Sequence, residues 1–127
     1  MEYAALVILL ALAQYVVFTL RVGAGRPKYG VDAPKTEGNE TWERLFRVQQ
    51  NTLEQLIIFV PGAWLFGLYI STSWVLLPGL LFIAGRQLYS HEYISKPSSR
   101  AAGMALTLFA NAILLVGGLA GVVMNLI

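Results

Sequence analysis

The sequence predicts an all-α membrane protein, a bundle of four transmembrane helices, and three observations carry that expectation. Of its 127 residues, 57% are hydrophobic and only 13% charged, where soluble domains use roughly 25% charged residues. The apolar residues gather into four runs. All nine Lys and Arg residues border the connections after the first and third runs, and the connection between the second and third carries none. The length fits a single domain, residues 1 to 127.

The first run, "YAALVILLALAQYVVFTL" at 3 to 20, has no charge. At about 1.5 Å per residue it spans roughly 27 Å, close to a bilayer's hydrocarbon core, so a helix is expected over about 3–21. A cleaved signal peptide is the competing reading. It fits poorly, because Glu2 is the only early charge and the apolar part exceeds a usual h-region. Residues 22 to 42 carry Gly, Pro, Asp, Glu, Asn and Thr without periodicity and read as a solvated connector. The second run, 56 to 70, extends backwards through polar residues, giving a helix over about 43–70. "STS" at 71 to 73 is a tight uncharged turn, so the next helix, about 74–94, should form an antiparallel hairpin with it. The last helix is expected over about 98–126.

Pro61 and Pro78 fall inside the second and third spans, where neighbouring helices can satisfy the freed carbonyls and a kink is tolerated. The fourth helix is rich in Gly and Ala, with a small-xxx-small pair at Gly117 and Gly121, which permits close helix approach. The positive-inside rule puts the Lys- and Arg-bordered connections in the cytoplasm and both termini on the opposite side. The compact chain suggests a bacterial inner membrane.

Several chemistries are disfavoured. With no cysteine there is no disulfide, no thiolate nucleophile and no Cys-held metal, and a single histidine, His91, argues against a protein metal centre. The net charge of +2 is spread along connections beside apolar runs, which is a topology signal rather than a nucleic-acid surface.

The charge within the spans needs an explanation. In "ERLFRVQQNTLEQ" at 43 to 55, Arg47, Asn51 and Glu54 lie within roughly 60° of arc on one helix face, flanked by Arg44 and Gln50. Arg86, Tyr89 and Tyr93 form a second stripe at the same membrane level on the third helix. An ionisable residue in lipid is costly unless it faces a cavity or partner, so Arg47 and Glu54 should face inward. They could pair with each other. Alternatively, both signs of charge, an amide and two phenols suit a zwitterionic, peptide-like ligand. Arg100 stands in the expected first turn of the fourth helix, where the helix dipole disfavours a cation and a nearby anion would relieve the conflict. The plainer reading is a positive-inside arginine at a helix end.

The ordered set "RPKYGV" at 26 to 31, "ERLFRVQQNTLE" at 43 to 54, "GRQLYSHEY" at 85 to 93 and "PSSR" at 97 to 100 resembles one family. This is the MAPEG family, the membrane-associated proteins in eicosanoid and glutathione metabolism. The family includes microsomal glutathione S-transferases, leukotriene C4 synthase and a non-enzymatic lipoxygenase-activating protein. "KYGV" and "PSSR" look nearest to the type-3 microsomal branch. The resemblance implies a homotrimer of four-helix subunits with glutathione, as co-substrate, at each subunit interface near the cytoplasmic side. It implies that Arg47, Asn51, Glu54, Tyr89 and Tyr93 line the glutathione pocket from one subunit, while Arg26 and Gln49 reach in from the neighbour. Gln49 lies about 200° around its helix from Arg47, so one helix could serve two pockets. Arg100 matches the arginine held to stabilise the thiolate, the catalytic role. Arg86 and Gln55 are further candidates. Gln55 replaces a tyrosine found in several animal members, and His91 and Glu92 stand where many members have a small residue.

The function so implied is a membrane-bound glutathione transferase or peroxidase that attacks hydrophobic electrophiles or lipid hydroperoxides arriving from membrane lipid. No metal is required. A non-catalytic lipid-binding or scaffold member of the family is the alternative. A small four-helix drug transporter is a third reading, but such proteins carry an essential carboxylate midway along the first helix, and this helix has none.

Overall fold

The computed structural model describes all residues from Met1 to Ile127. Four α-helices follow one another without any strand: α1 (Glu2–Tyr29), α2 (Glu40–Tyr69), α3 (Leu76–Ser95) and α4 (Ala101–Leu126), with a 3-10 turn at Pro97–Ser99 before α4. They form an up-down bundle in which α4 packs on α3 and α2, while α1 packs on α2 and touches α3.

The bundle's interior is apolar, and so is most of its outside. Ala4, Val7, Ala11, Leu56, Phe59, Ala63, Phe82, Ala110 and Leu114 build the main core, with the Phe59 and Phe82 rings stacked 4.0 Å apart. Leu9, Val16, Leu20, Ile57, Leu77, Leu119 and Met124 are among many large apolar side chains on the outer surface, as expected where lipid rather than water is the solvent. α1, α2 and the stretch from Pro97 to Leu126 are each long and apolar enough to cross a membrane. The 20 residues of α3 reach about 30 Å, but Arg86, Gln87, His91 and Glu92 make its second half too polar to qualify by composition.

Three boundaries differ from those the sequence suggests. α4 begins at Ala101 rather than 98, because Pro97–Ser99 form a separate 3-10 turn, and this leaves Arg100 as the residue that caps α4 rather than in its first turn. The other two lie at the α1–α2 connection. α1 continues eight residues past 21, through Gly23, Gly25 and Pro27, and α2 begins at Glu40 rather than 43, so the solvated connector shrinks to residues 30–39. The reason is tertiary. The Trp42 indole Nε1 donates to the Val22 carbonyl at 3.0 Å, and the Arg26 guanidinium lies 4.6 Å from the Trp42 ring centroid. A Cβ on Gly25 would sit 3.1 Å from that ring. These contacts hold the two helix ends together beyond the apolar runs. Gly30 then ends α1 in the left-handed region at φ 70°, which glycine adopts without a Cβ penalty. Asn39 opens α2 by accepting from the Trp42 backbone N–H at 3.0 Å.

At the other end, the Ser71 hydroxyl accepts from the backbone N–H groups of Ser73 and Trp74, closing the turn into α3. Pro78 lies in the first turn of α3, where its missing N–H breaks no helical hydrogen bond, so of the two prolines only Pro61 interrupts a helix. The small residues of α4 serve packing within the chain. A Cβ on Gly117 would meet the Phe66 ring at 2.6 Å, and one on Gly121 would meet Tyr69 at 2.8 Å.

Candidate functional site

At the end of the bundle where α1 finishes and α4 begins, Arg47, Asn51, Glu54, Tyr89, Tyr93 and Arg100 line one cleft of about 440 Å³. Three helices supply them. The α2 residues share a face because 47, 51 and 54 recur at helical spacing. Tyr89 and Tyr93 are one turn apart on α3, with rings stacked 5.5 Å between centroids and 16° between planes. Arg100, at the start of α4, holds its guanidinium carbon 6.0 Å from the Tyr93 ring centroid and donates to the Pro97 carbonyl at 3.2 Å.

The charges in this cleft are not spent on one another. The only ion pairs in the chain join the amino terminus to Glu2 and Arg44 to Glu40. Arg47, Glu54 and Arg100 therefore have no ionic partner, and the salt bridge conceivable between Arg47 and Glu54 does not form. A second cleft of about 520 Å³ shares Arg47 and Tyr93 and adds Thr36, Glu40, Glu43, Arg44, Phe46 and Pro97. It continues the site toward the connector.

The other sequence-predicted residues lie elsewhere. Arg26 stacks on Trp42 and donates to the Lys35 carbonyl at 2.8 Å. The Gln49 side-chain amide donates to the Tyr15 hydroxyl at 3.4 Å and the Thr19 hydroxyl at 3.3 Å. Neither lines the cleft of its own chain. Gln55 turns into the bundle, where its side-chain oxygen accepts from Asn111 at 3.1 Å, away from the cleft. His91 is exposed and outside it. Arg86 is fully buried behind the cleft wall. It donates to Asn51 at 2.7 Å and to the Thr107 hydroxyl at 3.3 Å, with its guanidinium carbon 4.3 Å from the Tyr89 ring centroid.

Two features go beyond the sequence reading. The Glu92 carboxylate accepts from the Gly103 N–H at 3.0 Å, so the anion that answers the α4 dipole beside Arg100 comes from α3 of the chain itself. Thr107 and Asn111, both buried on α4, form the inner polar partners of Arg86 and Gln55. Their i, i+4 spacing in an otherwise apolar helix was the available signal. α3 and α4 approach so closely here that a Cβ on Gly103 would lie 2.5 Å from the Tyr89 Cα and 2.8 Å from its Cβ.

Known proteins share this chain's plan over most of its length. An uncharacterized protein of Synechocystis sp. is 43% identical over 96% of this chain and 89% of its own. Human microsomal glutathione S-transferase 2 is 36% identical over 93% of this chain and 80% of its own. Mouse leukotriene C4 synthase is 32% identical over 75% of this chain and 61% of its own. These named enzymes are not type-3 proteins, so the type-3 likeness rests on "KYGV" and "PSSR" alone. Residues 3–120 match the MAPEG family model, and the chain belongs to the MAPEG family.

Proposed function

We propose that the cleft binds glutathione and holds its thiol as thiolate for attack on hydrophobic electrophiles or lipid hydroperoxides. The observation that carries this reading is the convergence of Arg47, Asn51, Glu54, Tyr89, Tyr93 and Arg100 on one cleft with its charges of both signs unpaired. A zwitterionic tripeptide answers both signs; a lipid tail answers neither. Kinship with human microsomal glutathione S-transferase 2 supports the same reading.

In this proposal Glu54 meets the ligand's amino group and Arg47 a carboxylate. Arg26 and Gln49, which lie outside their own chain's cleft, complete the pocket of a neighbouring subunit in a homotrimer. Arg100 faces the sulfur. A free thiol of pKa near 8.5 is only a few per cent ionised at pH 7, and lowering that pKa by two units takes roughly 2.7 kcal/mol of differential stabilisation. The thiolate forms a C–S bond as the electrophile's leaving group departs with its electron pair. With a hydroperoxide it cleaves the O–O bond, leaving an alcohol after protonation and a sulfenic acid that a second glutathione converts to disulfide and water. The proton lost from the thiol passes to solvent at the membrane's cytoplasmic face. The second substrate reaches the cleft from the lipid around the apolar helix surfaces. The protein would reside in a bacterial inner membrane.

Detergent-purified protein should retain glutathione, raise its thiolate absorbance near neutral pH, and conjugate a chlorodinitrobenzene with release of chloride. Protein that folds yet retains no glutathione would overturn the reading in favour of a non-catalytic lipid-binding scaffold.

A further inference from the structure

Arg86 is the one cation sealed inside the bundle. Its residue exposure is 0%, and no carboxylate pairs with it. A buried charge normally persists only where hydrogen bonds or a counter-charge compensate its lost hydration. Arg86 has polar contacts to three acceptors. One NH₂ group reaches the Asn51 side-chain oxygen at 2.7 Å, and the other reaches the Thr107 hydroxyl at 3.3 Å and the Met104 sulfur at 4.0 Å. The Nε atom has no partner. The Thr107 hydroxyl spends its own proton on the Gly103 carbonyl at 2.9 Å, so toward Arg86 it can act only as an acceptor. One guanidinium thus ties α2, α3 and α4 behind the cleft.

The consequence concerns Asn51. A guanidinium has donors and no acceptor, so whatever meets it must present oxygen. Asn51 is thereby fixed with Oδ1 turned inward to Arg86 and its NH₂ group, which has no partner within the chain, left for the cleft that Asn51 lines. An isolated asparagine could turn either end outward and accept or donate as the ligand required. This one can only donate.

We propose that Arg86 is a positioning residue that sets Asn51 as an obligate donor, so that the cleft selects ligands presenting a carbonyl or carboxylate oxygen at that point. The selection rests on the glutathione reading above. Arg86 itself never touches ligand; it acts through the orientation of one amide.

The test uses full-length protein in detergent, with glutathione, γ-glutamylcysteine and cysteinylglycine as probes and conjugation rates as readout. Arg86→Met frees the Asn51 amide to turn either end outward, so the donor must be re-oriented on binding and the KM for glutathione should rise about two- to threefold, the scale of fixing one side-chain orientation, with the loss falling on KM rather than kcat. Arg86→Lys, which can still donate to Asn51 but cannot fork to Thr107, should recover part of it. Asn51→Asp places a carboxylate on Arg86 and removes the outward donor, so it should fold at least as stably as the parent yet raise KM further, by about tenfold or more, the scale of a lost hydrogen bond to a charged acceptor. The truncated probe that lacks the oxygen opposite Asn51 should be weak with the parent protein and lose little further in either variant. An Asn51→Asp protein that binds glutathione as tightly as the parent would overturn the proposal, as would a folded Arg86→Met protein with unchanged KM. Should Arg86→Met fail to fold, Asn51→Asp decides alone. Failure of the parent protein to bind glutathione is a separate result, and it would overturn the functional reading first.

Discussion

Arg100→Gln removes a charge while keeping a polar side chain of similar reach at the start of α4. In the structure the guanidinium carbon stands 6.0 Å from the Tyr93 ring centroid, across the cleft both residues line. Taking a bound sulfur at a comparable separation of roughly 6 Å from that unit charge, effective dielectric constants of about 20 to 40 give about 1.4 to 2.8 kcal/mol. Arg100 is exposed in the single chain, so an intermediate value near 2 kcal/mol, or about 1.5 pKa units, is a fair working figure. The sign follows from the charge: the cation lowers the thiol pKa, to about 7 from 8.5, and the variant returns it. Thiolate nucleophilicity falls with its pKa with a slope of about 0.4 to 0.5, so the variant's thiolate, though scarcer, is about fivefold more reactive. At saturating glutathione the rate of chlorodinitrobenzene conjugation should drop about sixfold at pH 6 and about threefold at pH 7, and the order should reverse above roughly pH 8. A pH profile of kcat between 6 and 9.5 measures this. A constant ratio across that range would refute action through the thiol pKa, and an unchanged rate would refute any role for Arg100 in the reaction.

Gly103→Ala should cost about 1 to 3 kcal/mol or more by overpacking, because its Cβ would collide with the Tyr89 backbone. Gly23→Ala, inside α1 with nothing within 4 Å of its Cβ, should instead stabilise by about 0.5 to 1 kcal/mol through helix propensity, read as a raised melting temperature in detergent. Glu92→Ala removes the acceptor at the α4 N-terminus and should cost about 1 kcal/mol. Glu92→Gln should keep most of that stability, and equal melting temperatures for all three proteins would show that the contact contributes nothing. Co-expressed Arg26→Ala and Arg100→Ala chains should regain activity in about a quarter of interfaces, those that join two intact halves, whereas the double variant regains none. Absence of rescue in isolated mixed oligomers would exclude a pocket shared between subunits.

Five of the six residues that form the cleft were legible because each sits on a regular helix, while Arg100 stands in the turn just before α4. A period of 3.6 places Arg47, Asn51 and Glu54 together whatever surrounds them, and Tyr89 and Tyr93 likewise. The helix ends were less legible. The extension of α1 to Tyr29 depends on Trp42 reaching the Val22 carbonyl, a contact twenty positions away that no local pattern contains. Glu92 as the cap of α4 and Gln55 as the partner of Asn111 were hidden for the same reason, since each joins two helices.

By itself, the sequence determined the class, the bundle and the polar faces, because hydropathy and helical periodicity are local quantities that lipid enforces on every span. Only the tertiary structure decided which polar residues face the cleft and which stand behind it. Arg86 and Arg47 look alike as charges in apolar helices, yet one is sealed between Asn51 and Thr107 and the other is open to the cleft. Gly103 permits α3 and α4 to approach closely beside Tyr89, but which charge that approach seals in depends on how the helices pack together and cannot be read from either helix alone.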